Sequence, residues 1–366
     1  MSYVPFVPLR VFSAYTMLEG AIEPKAIGEA AKKLAFPAIA ICDRNGLYGV
    51  MPFQDGAKSN GVQPIIGALL GVRRPTSDGK FIRDWLPLFA QDESGYDNLC
   101  RLVSMAHLDR PEDLDAHVTL EQLAPFSDGL IALTGGAEGA VTQLLSDGQR
   151  NAAGEYLSRL QALFPDRLYI ELSRRNDSRE EAAEEALIDL AYARDIPLVA
   201  TNPAFFAEPD FFDAHDAMLC IQTGARLADE RRMKYTAQEF YLKTEAEMRR
   251  VFSEVPQAIT NTVDIAEMCD VQLPVGKNHY PVYIFSEGVK PKVEKKTDAI
   301  LDGYEKLKNG LLVAAGKKGD FAIAEDTRKG MRANGSYLLE IVKLGLKERY
   351  GVDYENAKDQ ADEEIP

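Results

Sequence analysis

Pro8-Leu9-Arg10-Val11-Phe12-Ser13-Ala14-Tyr15-Thr16-Met17-Leu18-Glu19-Gly20 is the stretch on which the reading of this chain turns. Leu9, Val11 and Met17-Leu18 flank a short run that ends in hydroxyl-bearing residues, which predicts a buried first strand leaving through a Ser/Thr turn. Helix-forming residues follow from Ala26 to Leu34. Any chemistry of the domain is expected at that strand's exit.

Working outward, an amphipathic helix over 22–34 leads to a buried strand over 36–42, which runs into the turn Asp43-Arg44-Asn45-Gly46. A helix over 52–60 and a strand over 64–72 follow, and this alternation predicts parallel pairing with right-handed crossovers. Further strands are read over 85–90, 129–133, 168–172 and 196–201, and helices over 95–106, 139–145, 151–163 and 180–194. About seven βα units within residues 1–206 suit a closed α/β barrel, whose active face is the C-terminal end of the strands. From residue 210 the chain turns helical, over 211–222, 244–254 and 256–269.

A chain of 366 residues has room for one large or two modest domains. Its 42 Lys+Arg against 57 Asp+Glu leave a net charge of -15, which repels phosphate backbones and disfavours nucleic-acid binding by this chain alone. Cys42, Cys100, Cys220 and Cys269 form no Cys-x-x-Cys pair, so they read as buried thiols of a reducing cytoplasm. The sequence has neither a basic-then-apolar leader nor a run of about 18 apolar residues, and a cytoplasmic protein with no membrane contact is expected.

The opening stretch resembles the start of the PHP (polymerase and histidinol phosphatase) domain in the family of bacterial replicative DNA polymerase III alpha subunits. The string from Asp213-Ala214-His215-Asp216 to Thr223-Gly224 strengthens that resemblance, as do Glu239-Phe240-Tyr241-Leu242-Lys243 and Gly95-Tyr96-Asp97-Asn98-Leu99-Cys100. Asn261-Thr262 with Ile265-Ala266-Glu267 and Cys269 belongs to the same set. The resemblance implies an α/β fold, a PHP-type distorted (β/α)7 barrel with its closing helices over 1–285, followed by a helical C-terminal extension. Residues 286–335, within a lysine-rich stretch from 277, read as a linker or partly ordered insertion. Residues 336–366 resemble the start of the polymerase palm, with Leu338, Leu339, Val342 and Leu346 on one helical face. The chain thus reads as an amino-terminal fragment, whose palm aspartates and their Mg²⁺ would lie beyond residue 366.

In metal-binding members of the family, a His-x-His pair sits on the first strand, because alternate residues share a face and two imidazoles there seize a metal. Carried over position by position, that pair becomes Arg10 and Phe12, and the acid of the following turn is Glu19. The Asp-His after the second strand becomes Asp43-Arg44, and the later ligands become Leu69, Trp85, Gly136, Pro203 and Phe205. Of the ligand set only Glu19 and Asp43 remain, too few for a multi-metal cage, so neither metal nor cofactor is expected in this stretch. Arg10 or Arg44 is placed to neutralise those acids, and apolar residues to fill the pocket.

His107, His117 and His279 are scattered, and His215 reads as a local bond at a helix start. Gly135-Gly136 lacks a Walker lysine, no Gly-x-Ser-x-Gly elbow occurs, and Arg174-Arg175, Arg231-Arg232 and Arg249-Arg250 read as solvated faces or subunit contacts. The resemblance implies an inactive scaffold that docks the separate epsilon-type proofreading exonuclease and other replisome subunits, meeting DNA through the rest of the polymerase. The alternatives are a metal-dependent phosphoesterase or 3′-5′ exonuclease at the barrel mouth, or a freestanding interaction protein.

Overall fold

A computed structural model describes residues 3–76, 79–232, 234, 238–273, 295–314, 318–323, 325, 328 and 331. The chain divides into two compact units, Met1–Val275 and Gly276–Pro366.

In the first unit, six strands form one sheet in sequence order: β1 (Ala38–Arg44), β2 (Gln63–Pro75), β3 (Phe81–Ala90), β4 (Leu130–Leu133), β5 (Leu168–Leu172) and β6 (Leu198–Ala200). β1 and β2 pair in parallel, as do β4, β5 and β6. The expectation of parallel pairing throughout fails at β3, which is antiparallel to both β2 and β4. Only residues 76–80 separate β2 from β3, too few for a crossover helix. The turn closes through the Thr76 amide on the Lys80 carbonyl, with Gly79 at a left-handed φ of 79°.

The opening stretch is buried as expected but forms single bridges rather than a continuous strand. Its backbone is shared between two neighbours. The Ala40 and Cys42 amides donate to the Pro8 and Val11 carbonyls on one side, while Phe12 and Ala204 exchange amide bonds with Ala204 and Arg10 on the other. It therefore carries the sheet round from β1 to the segment that follows β6.

Both faces of the sheet are covered, which explains why its strands read as unbroken apolar runs. On β1, Ile39 and Ile41 face one core, while Ala38, Ala40 and Cys42 face a second, inner core with Phe12, Leu69, Phe89 and Phe205. The helices α1 (Pro24–Lys33), α2 (Val50–Ser59), α3 (Glu93–Leu108), α4 (Leu120–Leu123), α5 (Ala140–Ser146), α6 (Arg150–Leu163) and α7 (Ser178–Arg194) follow in chain order. A Cβ on Gly28 of α1 would lie 2.5 Å from the Gly56 and Ala57 backbones, so glycine is what lets α1 and α2 touch.

Past β6 come α8 (Phe212–Thr223), α9 (Glu245–Val251) and α10 (Pro256–Glu267). α10 is fastened to the barrel by Asn261, whose Nδ2 donates to the Leu198 carbonyl at 2.7 Å, and by Thr262, whose Oγ1 accepts the Val7 amide at 3.0 Å. The Asn261-Thr262 pair thus acts as a clasp on the opening stretch and on β6.

In the second unit, α11 (Lys295–Ala314) lies within the segment read as linker or partly ordered insertion. The Asn309 side-chain amide donates to the Phe321 carbonyl and accepts the Phe321 amide, and the Glu305 carboxylate accepts the Ile323 amide, so the chain beyond α11 doubles back along it. The palm-like stretch 336–366 and His279 lie outside the described residues.

Candidate functional site

The ends of the opening stretch, β1 and β5, together with the Gly135–Glu138 turn after β4, bring an arginine-carboxylate network to the barrel mouth. Arg10 is buried, and its Nη1 reaches both oxygens of Glu171 at 2.9 and 3.0 Å. Glu171, equally buried on β5, also accepts the Gly135 amide at 3.0 Å and the Thr201 hydroxyl. Arg10 Nη2 stands 3.5 Å from Glu138.

Arg44 forms the second link. Its Nε donates to Glu19 at 2.9 Å and its Nη2 to Glu138 at 2.8 Å, while its guanidinium lies 4.5 Å from the centre of the Trp85 ring. Burial works against that charge, but Glu138 and Glu19 overcome it and hold the Arg44 pKa above its ordinary value. Burial likewise pushes the Glu138 carboxyl up, yet Arg44 and Arg10 prevail and hold it below the usual carboxylate range.

Asp43 follows a different logic. The expected arginine partner is replaced by hydroxyls: Asp43 accepts the Ser13 amide at 2.7 Å, the Ser13 Oγ at 2.6 Å and the Thr16 Oγ1 at 2.7 Å. Burial raises its pKa, and the Ser13 and Thr16 donors pull it partly back. Its role is to pin the turn that leaves the opening stretch.

The other predicted positions line or floor the same mouth. Phe12 stacks on Phe205 at 4.6 Å between centroids, and Phe205 meets the ring of His215 at 5.8 Å. Leu69 is buried in the inner core, and its carbonyl accepts the Asn45 amide. Trp85 lies between the guanidiniums of Arg44 and Arg83. Gly136 turns at a φ of 53° beside Ser173 and Glu171, and Pro203 is buried just past β6. The pocket expected to be filled is filled only at its floor. Above the ion pairs a cleft of about 1020 Å³ stays open, bounded by Trp85, Phe240 and the residues 176–179 that lead into α7.

Several functional contacts escaped sequence reading. Glu171 and Glu138 stand at no position of the metal-binding pattern, although a lone carboxylate inside Leu168–Leu172 was a visible signal. The bond of His215 is not local, because its Nε2 donates to the Glu19 carbonyl at 2.7 Å and ties α8 to the opening turn. Burial lowers the His215 pKa, and the Glu19 carbonyl opposes that shift. Arg174 and Arg175 are drawn inward, onto Glu184 with Glu254 and onto Glu180 respectively.

A metal is the group that such a mouth holds elsewhere in the resembled fold. Here Arg10 and Arg44 already engage the Glu171, Glu138 and Glu19 carboxylates, and Asp43 is engaged by hydroxyls. Burial pushes the Cys42 thiol up to about 12. Among the described residues no group of three or more His, Cys, Asp or Glu is arranged to hold an ion. The donor set therefore does not fit a metal cluster.

Glu138→Gln should flatten the acid side of the stability profile. A carboxyl whose folded pKa is depressed contributes stability that is present above its unfolded pKa, ordinarily 4.5, and lost as pH falls through the folded value. The gap in melting temperature between native and variant chains should be widest near neutrality and narrow as pH falls from 4.5 through the lower folded value. A gap that stays constant across that window would contradict the assignment.

Residues 8–175 match the PHP domain. Over most of its length the chain is similar to bacterial DNA polymerase III alpha subunits, and what it carries is their PHP region. It is 38% identical to the Caulobacter vibrioides subunit over 351 residues, which cover 90% of this chain and 31% of the relative. With the Escherichia coli K12 subunit it shares 33% over 283 residues, 77% of this chain and 24% of the relative. The chain thus spans about a quarter to a third of the length of these relatives. Among solved structures, an amidohydrolase from Chromobacterium violaceum covers 53% of this chain and 86% of its own, at 12% identity and a TM-score of 0.38. Among the described residues no helix is long and apolar enough to cross a membrane.

Proposed function

We propose that this chain serves as the amino-terminal scaffold of a bacterial DNA polymerase III alpha subunit, with no catalysis at its own barrel mouth. The polymerase as a whole would extend primers in the cytoplasm, its palm aspartates holding Mg²⁺, while this barrel stiffens the polymerase and docks the separate proofreading exonuclease and other replisome subunits. One observation supports the silent mouth: of the two carboxylates left from the metal-binding pattern, Glu19 is engaged by Arg44 and Asp43 by the Ser13 and Thr16 hydroxyls. Activation of water on a phosphate ester requires a cation with an open coordination position, and a guanidinium has none.

The test is a calorimetric titration of this chain with the exonuclease subunit of the same organism, beside metal analysis of the purified chain. Saturable one-to-one binding, with less than one transition-metal ion per chain, is the expected result. Several tightly held Zn²⁺ or Mn²⁺ ions per chain would instead favour the phosphoesterase or exonuclease alternative.

A further inference from the structure

The turn that Asp43 pins carries a group of exposed apolar side chains. Tyr15, Met17 and Leu18 point into solvent, Met17 with 74% of its surface accessible. Tyr48, 60% exposed, lies 6.1 Å from the Tyr15 ring, and the exposed Met51 follows one helical turn later at the start of α2. The backbone beneath is held rather than loose: the Glu19 and Gly20 amides both donate to the Thr16 carbonyl, and Thr16 itself bonds Asp43. Leu18 is kept at a φ of 63°, a left-handed conformation that a leucine adopts only under constraint. A fixed, strained turn that presents its apolar residues outward is built to be covered.

The loop tied to the β1–α2 connection is acidic. Asn45, three residues before Tyr48, donates to the Ala116 carbonyl at 2.9 Å, and its own carbonyl is bonded by His107 at 2.8 Å, which sets the 109–115 loop alongside. Asp109, Glu112 and Asp113 on that loop are exposed. Arg110, the loop's one cation, is turned onto the backbone carbonyls of Pro111, Glu112 and Leu114.

We infer that Tyr15, Met17, Leu18, Tyr48 and Met51 form a docking surface for a cationic amphipathic segment of a partner protein, which buries its apolar face here and sets Lys or Arg against the 109–115 carboxylates. Charge complementarity selects this occupant, since the same carboxylates repel anionic lipid and nucleic acid. The inference rests on the scaffold reading and deepens it, by assigning the surface and the chemistry of the partner.

The probe is an 18-residue synthetic helix with Leu on one face and Lys on the other, titrated into the full chain beside the same peptide with Glu for Lys. The Lys peptide should bind with a micromolar Kd, and the Glu peptide at least tenfold more weakly. Met17→Ser with Tyr48→Ser, and separately Glu112→Lys with Asp113→Lys, should each weaken the Lys peptide at least tenfold while leaving the melting temperature unchanged, because all four side chains are exposed. Absent binding, binding that neither pair of substitutions weakens, or tighter binding to phosphatidylglycerol vesicles overturns the assignment. Peptide binding of the expected kind without exonuclease binding would remove the exonuclease and keep the surface. Exonuclease binding that the Met17 and Tyr48 substitutions leave intact would do the reverse.

Discussion

Arg10→Ala is expected to lower the unfolding free energy by about 3–5 kcal/mol, because it strands a buried carboxylate. Glu171 would keep only the Gly135 amide and the Thr201 hydroxyl, in a site with almost no solvent access. The damage would spread, since Arg10 and Glu171 also hold the opening stretch to β5 and to the turn after β4. Urea unfolding followed by circular dichroism measures the loss directly. Pairing Arg10→Met with Glu171→Gln should recover more than half of it, because the second change removes the unpaired charge. A single-variant loss below about 1 kcal/mol would mean that water reaches Glu171, and the network would then count as an exposed one.

Phe205→Ala should cost a similar amount, about 3–5 kcal/mol, for a different reason. The Phe205 ring stacks on Phe12 and also meets Phe240, at 5.6 Å, and His215. Its removal leaves a void at the floor of the cleft that backbone fixed by β1 and β6 cannot close. Phe81→Ala is the comparison: that ring is more than half exposed at the start of β3, and its loss should change stability by roughly 0.5 kcal/mol or less. Equal effects at the two positions would show that the floor relaxes around the gap.

The barrel strands were legible because both of their faces are buried, so hydrophobic runs such as 64–72 and 168–172 stood out without any periodicity to interpret. What the pattern did not carry was direction. An antiparallel β3 and a parallel one have the same composition, and the deciding signal was the shortness of the connection, with Asp78-Gly79 at its centre. The opening stretch was found as buried, but its division between two neighbours depends on residue 204, far away in sequence.

At the site, residue types were legible and their partners were not. Phe12, Trp85 and Phe205 could be seen to stand where ligands were expected. The carboxylates that answer Arg10, Glu138 and Glu171, sit elsewhere in the chain, and only folding brings them together. Either arginine could have been set against either acid from the sequence; Arg44 meets Glu19, whereas Asp43 takes hydroxyls from the serine and threonine of the turn.

The cations of this mouth are covalent parts of the chain, and that changes how the fold depends on its surroundings. A dissociable ion stabilises a protein only in proportion to its supply, through the ratio of its free concentration to its dissociation constant. Arg10 and Arg44 cannot be diluted, chelated or exchanged for a competing metal. If the mouth works as the proposed scaffold, its geometry would be decoupled from the cell's metal inventory, and a surface mounted on it would be presented in the same form in metal-starved and metal-replete cells alike.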